Sequence, residues 1–494
     1  MTTEILPAET AAERPQKKHT RLAKIPGLRI FVSPEDPTPT PDAADDRRDV
    51  DAPPWTLPGS PLRASTRAAK TGWYAPSAQG APSTTRQAEI LNTAVIGPPT
   101  GTRGIVNGRD TLSRTLIAHD AATAYNSEPR EITSPNVLVF GTVGSGKSSF
   151  VKTTQVIRPL LLDRRRAVVF DKKDEGGEGE YAALTRRRNG AALFRFSTDD
   201  SGTRLNIMDP MITRGSGLQG QTLLLNAVAR IARNDTPSTE WEKKAIRDAL
   251  ELTFTQFDDT RVPTPVDLLP NLGRIKDATD LSDKAKDRLH IAGLSIKYAL
   301  EDLLREYGGL LDGETSKHVD LASKLTTFDI SQLPDDGPAV PVVMAIGNMW
   351  LMGRLRNERG YVTNVIYEEG WHMIGGPSAH LIKSNQKLSR SLGISNVFVM
   401  HKGTDIPADS PGYTVIQEAQ TVYVFNQART EDANWAVNTF GLAPETATTL
   451  MNLRPGHCVF KYGSNPETHM QHVRSPWETE VTNTDSALAA AATR

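Results

Sequence analysis

The sequence predicts an α/β fold built on a mainly parallel central sheet, with an all-helical insertion and a disordered N-terminal tail. Three observations predict it. A short apolar run, Val137–Phe140, passes through a glycine-rich turn into a helix-compatible segment, Phe150–Ile157. A second strand-like run, Arg164–Asp171, closes a strand–helix–strand unit, which calls for parallel strands with ligands at their C-terminal edge. A third, Thr363–Tyr367, ends in adjacent carboxylates, Glu368 and Glu369.

Composition narrows the class. The 494 residues suit two to three domains, and a net charge of -1 gives no overall bias toward nucleic acid, so any basic patch must be local. The lone cysteine, Cys458, excludes an intrachain disulfide framework and a cysteine-rich metal site. It lies in a strand-like run and reads as a buried structural thiol. The N-terminus lacks a basic region followed by an apolar one. The most apolar stretch, Val340–Met352, contains Pro341 and Asn348 and is too short to span a bilayer. A cytoplasmic protein is expected, peripheral to the inner face of a membrane only through partners.

Residues 1–85 are rich in Pro, Ala, Thr, Asp and Arg and cannot bury enough apolar surface to offset ordering entropy. Two short apolar islands there, Leu28–Val32 and Gly72–Tyr74, read either as docking segments or as parts of an inert tail. The cluster Lys17–Arg21 reads as solvated charge. Residues 86–133 carry two short strand patterns, Ile105–Arg109 and Thr115–Asp120, and form a β-rich lead-in. The first part of the sheet domain is expected over 134–215.

Residues 216–315 change character. Thr239 and Glu242 make a capping box, followed by Ile246, Leu250, Phe254 and Phe257 at helical spacing. Ser282–Glu306 repeats the pattern with Leu289, Ile296, Leu300 and Leu303. The sheet domain resumes over 316–478, with strands expected at Thr327–Ile330, Val340–Ile346, Ile394–His401, Thr421–Phe425 and Gly456–Tyr462. A helix is expected at Gln386–Leu392. Residues 479–494 read as a flexible tail, either a frayed helix or disordered.

The chemistry centres on Gly141, Thr142, Val143, Gly144, Ser145, Gly146, Lys147, Ser148 and Ser149. Glycines at these positions let backbone N–H groups converge on phosphate oxygens, and the following helix N-terminus favours negative charge. Lys147 would reach the β- and γ-phosphates and Ser148 would ligate Mg²⁺. ATP and Mg²⁺ are therefore the expected ligands. Strand-end acids supply the second half of such chemistry: Glu368 in the Mg²⁺ shell and Glu369 activating water. Asp171 reads either as an acid near the phosphates or as an ordinary turn residue. His401, ending the Ile394–His401 run, reads either as a γ-phosphate sensor beside Glu369 or as a structural histidine.

These motifs resemble the cytoplasmic ATPases of conjugative type IV secretion, the VirB-four and TraC type, within the HerA/FtsK superfamily of RecA-like motors. The match runs from about Gly104 to Glu478. It rests on the phosphate loop and its approach Ser134–Phe140, on Asp171–Lys173 with Glu178–Tyr181, on Leu205–Pro210, and on Val319–Leu321 with Phe328–Ser331. Glu368–Trp371, Gly456–Phe460 and Val473–Glu478 complete it. The resemblance implies a RecA-like P-loop NTPase, a homo-oligomer, commonly a hexamer, and an arginine that enters the neighbouring subunit's site. Arg390 stands at the implied position, with Arg429 as second candidate. It also implies membrane-embedded secretion channel proteins as partners and DNA or a relaxase–DNA complex as substrate. Three departures stand out: Glu368 replaces the usual Asp, His401 stands where Gln is usual, and only about 130 residues precede the loop. Two other readings remain open: a soluble HerA/FtsK-like DNA translocase or coupling ATPase, and a nucleotide-binding scaffold with weakened hydrolysis.

Overall fold

The computed structural model describes residues 103–483, apart from 199–201, 258–260, 276–280, 321, 357, 359, 375–377, 380, 382–389, 405, 407–409 and 411. The tail 1–85, the first residues of the lead-in, most of the helix expected at Gln386–Leu392 and the end of the C-terminal tail lie outside the described residues.

Among these, one sheet holds eleven strands: β1 Val106–Asp110, β2 Leu116–Ala118, β3 Val137–Phe140, β4 Arg165–Asp171, β5 Ala192–Arg195, β6 Leu325–Asp329, β7 Val362–Tyr367, β8 Ile394–Met400, β9 Thr421–Val424, β10 His457–Tyr462 and β11 Thr468–His472. Their order is β2-β1-β11-β10-β9-β3-β8-β7-β4-β6-β5. From β9 to β5 every neighbouring pair is parallel; β10, β11, β1 and β2 extend one side as antiparallel strands. The lead-in is thus the far edge of the main sheet, with β1 pairing on β11.

Both faces of the parallel part are covered, as parallel strands require. Alternation along β3 sends Leu138 and Phe140 into one core and Val137 and Val139 into the other. The second core holds Phe150 and Val151 of α1 (Lys147–Val151), which runs on through Lys152–Ile157 with wider, π-type turns. The first core is capped by helices. Asp209 caps α2 (Pro210–Ala232), with Pro210 at its first turn and a kink at Gly217. The Thr239–Glu242 capping box opens α3 (Glu240–Gln256), and Ser282 caps α4 (Asp283–Glu306). Leu224, Leu225, Ile246, Leu250, Ile296 and Leu300 from these helices share one apolar cluster with Phe170 and Phe328 of the sheet.

One expectation is corrected. Val340–Ile346 is not a strand but part of α5 (Ala339–Arg356). This helix is apolar on nearly every side because it is buried all round, so its short apolar run resembles a buried strand. Its Gly353 lies against α2, where a Cβ would stand 1.7 Å from the Met211 carbonyl oxygen. Thr479–Thr482, expected in a tail that is either a frayed helix or disordered, is helical and completes α6 (Pro476–Thr482). A Ser475–Glu478 capping box opens that helix, and Arg158 pairs with both Glu478 oxygens. Among the described residues no helix is long and apolar enough to cross a membrane.

Candidate nucleotide site

Three neighbouring strands end in the same two-residue pattern, an aromatic followed by an acid: Phe328-Asp329 on β6, Phe170-Asp171 on β4, and Tyr367-Glu368 at the end of β7. The aromatics stack across the sheet, with Phe328, Phe170, Tyr367 and then Phe398 of β8 at centroid spacings of 4.9, 5.2 and 5.0 Å. Successive side chains of a strand point to opposite faces. The stack therefore turns Asp171, Asp329 and Glu368 together onto the face that carries the glycine-rich turn and α1. All three acids are buried.

The turn after β3 needs its glycines. Gly141, Gly144 and Gly146 take φ of 154°, 76° and 95°. A Cβ on Gly141 would lie 2.5 Å from Phe425 Cβ, and one on Gly146 would lie 3.0 Å from the Gly456 nitrogen. The turn is braced from outside: Gly456 N–H donates to the Ser145 carbonyl at 2.9 Å, and Thr142 N–H to that of Asn426 at 2.9 Å. Ser145 Oγ closes the turn on the Thr142 carbonyl at 2.7 Å, while Val143 stands exposed at the tip. Ser149 Oγ donates to the Thr482 carbonyl at 3.0 Å, which ties α1 to α6.

A cleft of about 400 Å³ opens beside this turn. Val143, Gly144, Gly146, Lys147, Ser148 and Ser149 form one side, and Glu368, Glu369 and His401 also line it. Lys147 Nζ donates to the carbonyls of Gly141 (2.5 Å) and Thr142 (2.8 Å) and lies 3.4 Å from His401 Nδ1. The other imidazole nitrogen, Nε2, lies 2.9 Å from Glu369 Oε1. An ammonium only donates, so this chain reads as Lys147 donating to Nδ1 and Nε2–H donating to Glu369. Trp371 Nε1 donates to the second Glu369 oxygen at 3.0 Å. Glu369 itself takes φ of 52°, a conformation that costs a residue with a Cβ about 1–3 kcal/mol and clusters at functional sites.

The two carboxylates lie in different surroundings. Burial pushes Glu368 up to about 7, with Glu180 adding to the rise. Burial acts in the same direction on Glu369, but the bonds from His401 and Trp371 outweigh it and hold that carboxyl below its usual range. Burial lowers Lys147 to about 8 against the pull of Glu368 and Glu369. The site thus sets an acid that resists ionisation beside one that ionises readily.

The donor set fits a magnesium nucleotide. A glycine-rich turn leading into a helix and an ammonium suit phosphate oxygens, and the Ser148 hydroxyl with the Glu368 carboxylate are hard oxygen donors of the kind Mg²⁺ takes. Asp171 does not line the cleft: it is fully buried at the end of the strand next to that of Glu368, and burial holds its carboxyl well above the usual range. Arg390 does not line its own chain's cleft either. It is about one-third exposed, with Nη2 3.4 Å from Glu418 Oε2. Arg429 is exposed, just before the helix Thr430–Phe440.

Sequence reasoning passed over several residues of the cleft. Lys173, in ion pair with Glu180 at 3.2 Å, lines it, as do Pro455, Gly456, His472, Arg474 and Asn483. Arg474 is half-buried, and its Nη1 donates to Thr482 Oγ1 at 3.0 Å. Lys173 was within reach of the sequence, since it follows a strand-end acid. The others lie around β10 and β11 and at the end of α6; Gly456 and Arg474 fall in stretches that carry the resemblance, but nothing local places any of them at the cleft.

No protein-family model matches the chain, and neither does any curated protein. Solved structures do match. VirB4 of Thermoanaerobacter pseudethanolicus superposes with a TM-score of 0.62 at 19% identity, covering 78% of this chain and 100% of that chain. The bacterial conjugative coupling protein TrwBdeltaN70, in an unbound monoclinic form, matches with a TM-score of 0.49 at 14% identity over 76% of this chain and 91% of that chain. TrwB in complex with ADP and Mg²⁺ gives 0.47 and 13% over the same shares. The chain has the RecA-like P-loop NTPase fold found in VirB4, the type of ATPase that its own motifs resemble.

Proposed function

We propose that this chain is a Mg²⁺-dependent ATPase whose homo-oligomer, a hexamer, hydrolyses ATP to power a conjugative type IV secretion machine. The observation that carries the reading is the chain of contacts Lys147–His401–Glu369 across one cleft, with the phosphate loop as its wall. The loop N–H groups hold the phosphates, and Lys147 exchanges its bonds to the loop carbonyls for bonds to the β- and γ-phosphate oxygens. Ser148 and Glu368 would hold Mg²⁺, which supplies charge neutralisation on those oxygens. Glu369, ionised and oriented by His401 and Trp371, accepts the proton of the attacking water. His401, touching both Lys147 and Glu369, senses the loss of the terminal phosphate. The partner subunit's Arg390 stabilises the charge that develops on the transferred phosphate. The oligomer works at the inner face of the membrane against channel proteins, moving DNA or a relaxase–DNA complex.

The test is steady-state ATP turnover of the purified full chain beside its K147A and E369Q variants. K147A is expected to lose measurable turnover. E369Q is expected to lose about 10²–10⁴-fold in kcat while still binding nucleotide. Equal turnover in all three proteins overturns the assignment, and strong stimulation by duplex DNA would shift it toward a soluble translocase.

A further inference from the structure

The loop between β4 and the helix Ala182–Arg187 carries Lys172, Lys173 and Glu178–Tyr181, and the proposed chemistry gives that stretch no role. It is firmly built. Asp174 and Gly179 pair across it, Glu175 N–H donates to the Glu178 carbonyl at 2.7 Å, and Glu180 N–H to that of Lys173 at 3.1 Å. Gly179 passes so close to the buried acids that a Cβ there would lie 2.3 Å from Asp171 Oδ2 and 2.9 Å from Asp329 Oδ1.

This close passage delivers Tyr181, fully buried, into the acid cluster. Its N–H donates to Asp171 Oδ2 at 2.7 Å and its hydroxyl to Glu368 Oε1 at 2.5 Å. One residue thus supplies a donor to each of two buried carboxylates. The ring is fixed as well: Lys152 Nζ lies 5.1 Å from its centroid and pairs with Glu180 at 3.3 Å. A phenolic hydroxyl facing a carboxylate oxygen donates its proton to it, so Tyr181 is the donor of this bond.

A glutamate has one more rotatable bond than an aspartate, so at this strand end its carboxylate needs an added restraint to hold one orientation. The geometry points to Tyr181 as that restraint, a positioning residue that holds Glu368 through Oε1 and leaves its other oxygen to Mg²⁺. The inference rests on the reading of Glu368 as a metal ligand. Partners of this kind behind a ligating carboxylate are typically worth 10–100-fold in metal affinity.

The experiment measures Mn²⁺ binding to the full chain with ADP present, read by loss of the free Mn²⁺ electron paramagnetic resonance signal. Wild type, Y181F, E368A, E368D and the Y181F/E368D double variant are compared. Y181F keeps the ring and removes only the hydroxyl. It is expected to weaken Mn²⁺ binding about 10-fold, with ADP affinity in EDTA and the thermal midpoint close to wild type. In the E368D background the shorter side chain leaves the hydroxyl's reach, so removing the hydroxyl is expected to add little. Wild-type Mn²⁺ affinity in Y181F, with E368A weakened, overturns the positioning role alone. So does an undiminished loss in the E368D background. Wild-type affinity in E368A removes the metal reading of Glu368 and this inference with it.

Discussion

Replacing Glu368 by Gln should make the protein more stable at alkaline pH, and the size follows from its surroundings. The folded chain raises this carboxyl from 4.5 to about 7, chiefly through burial and then through Glu180. A carboxyl raised on folding binds its proton more tightly in the folded state than in the unfolded one. Its destabilising effect is therefore absent below the unfolded value and grows as pH climbs from 4.5 toward 7. At about 1.4 kcal/mol per pH unit, wild type should lose about 2 kcal/mol between about pH 5.5 and pH 8 that E368Q keeps. Gln retains an oxygen to accept the Tyr181 hydroxyl, so the contact geometry changes little. The assay is urea unfolding of both proteins at the two pH values; their difference cancels the titrations they share. Stabilities that change in parallel would refute the argument that Glu368 is held against ionisation.

Two further outcomes are expected. G353A sets a Cβ 1.7 Å from the Met211 carbonyl oxygen and must push α5 and α2 apart; it should cost about 1–3 kcal/mol in unfolding experiments, as overpacked cores do, with little change in turnover per folded molecule. R390A and K147A should each be inactive alone, yet mixing them should restore part of the ATPase activity, because one supplies the intact loop and the other the intact arginine; full activity of R390A by itself rules out the trans role.

Much of the site could be read from local pattern. The glycine-rich loop proposed to hold phosphate is contiguous, so its glycines, Lys147 and Ser148 announce themselves. Glu368 and Glu369 stand at a strand end, and His401 directly follows another. In a parallel sheet those ends share one edge, which is why residues far apart in sequence could be placed beside one another. The misread segment has a physical cause too. Val340–Ile346 lies in a helix buried on all sides, where no polar face remains to reveal the helical period. In Thr479–Thr482 only Val481 is apolar, so little in the sequence shows that the segment is held by a capping box, by Ser149 and by burial of that valine.

The sequence by itself determined the fold class and located the glycine-rich loop and the strand-end acids, because each depends on residues within a few positions of one another. Tertiary structure decided how the acids differ. Glu368 is pushed toward its neutral form because the aromatic stack and the Gly179–Tyr181 passage bury it with Asp171 and Glu180. Glu369, one residue later, turns through a left-handed backbone to His401 and Trp371 and stays ionised. Adjacent residues of one type diverge because burial and the decisive donors, Tyr181 and His401, come from remote parts of the chain, which no local pattern encodes; only Trp371 is local to the pair.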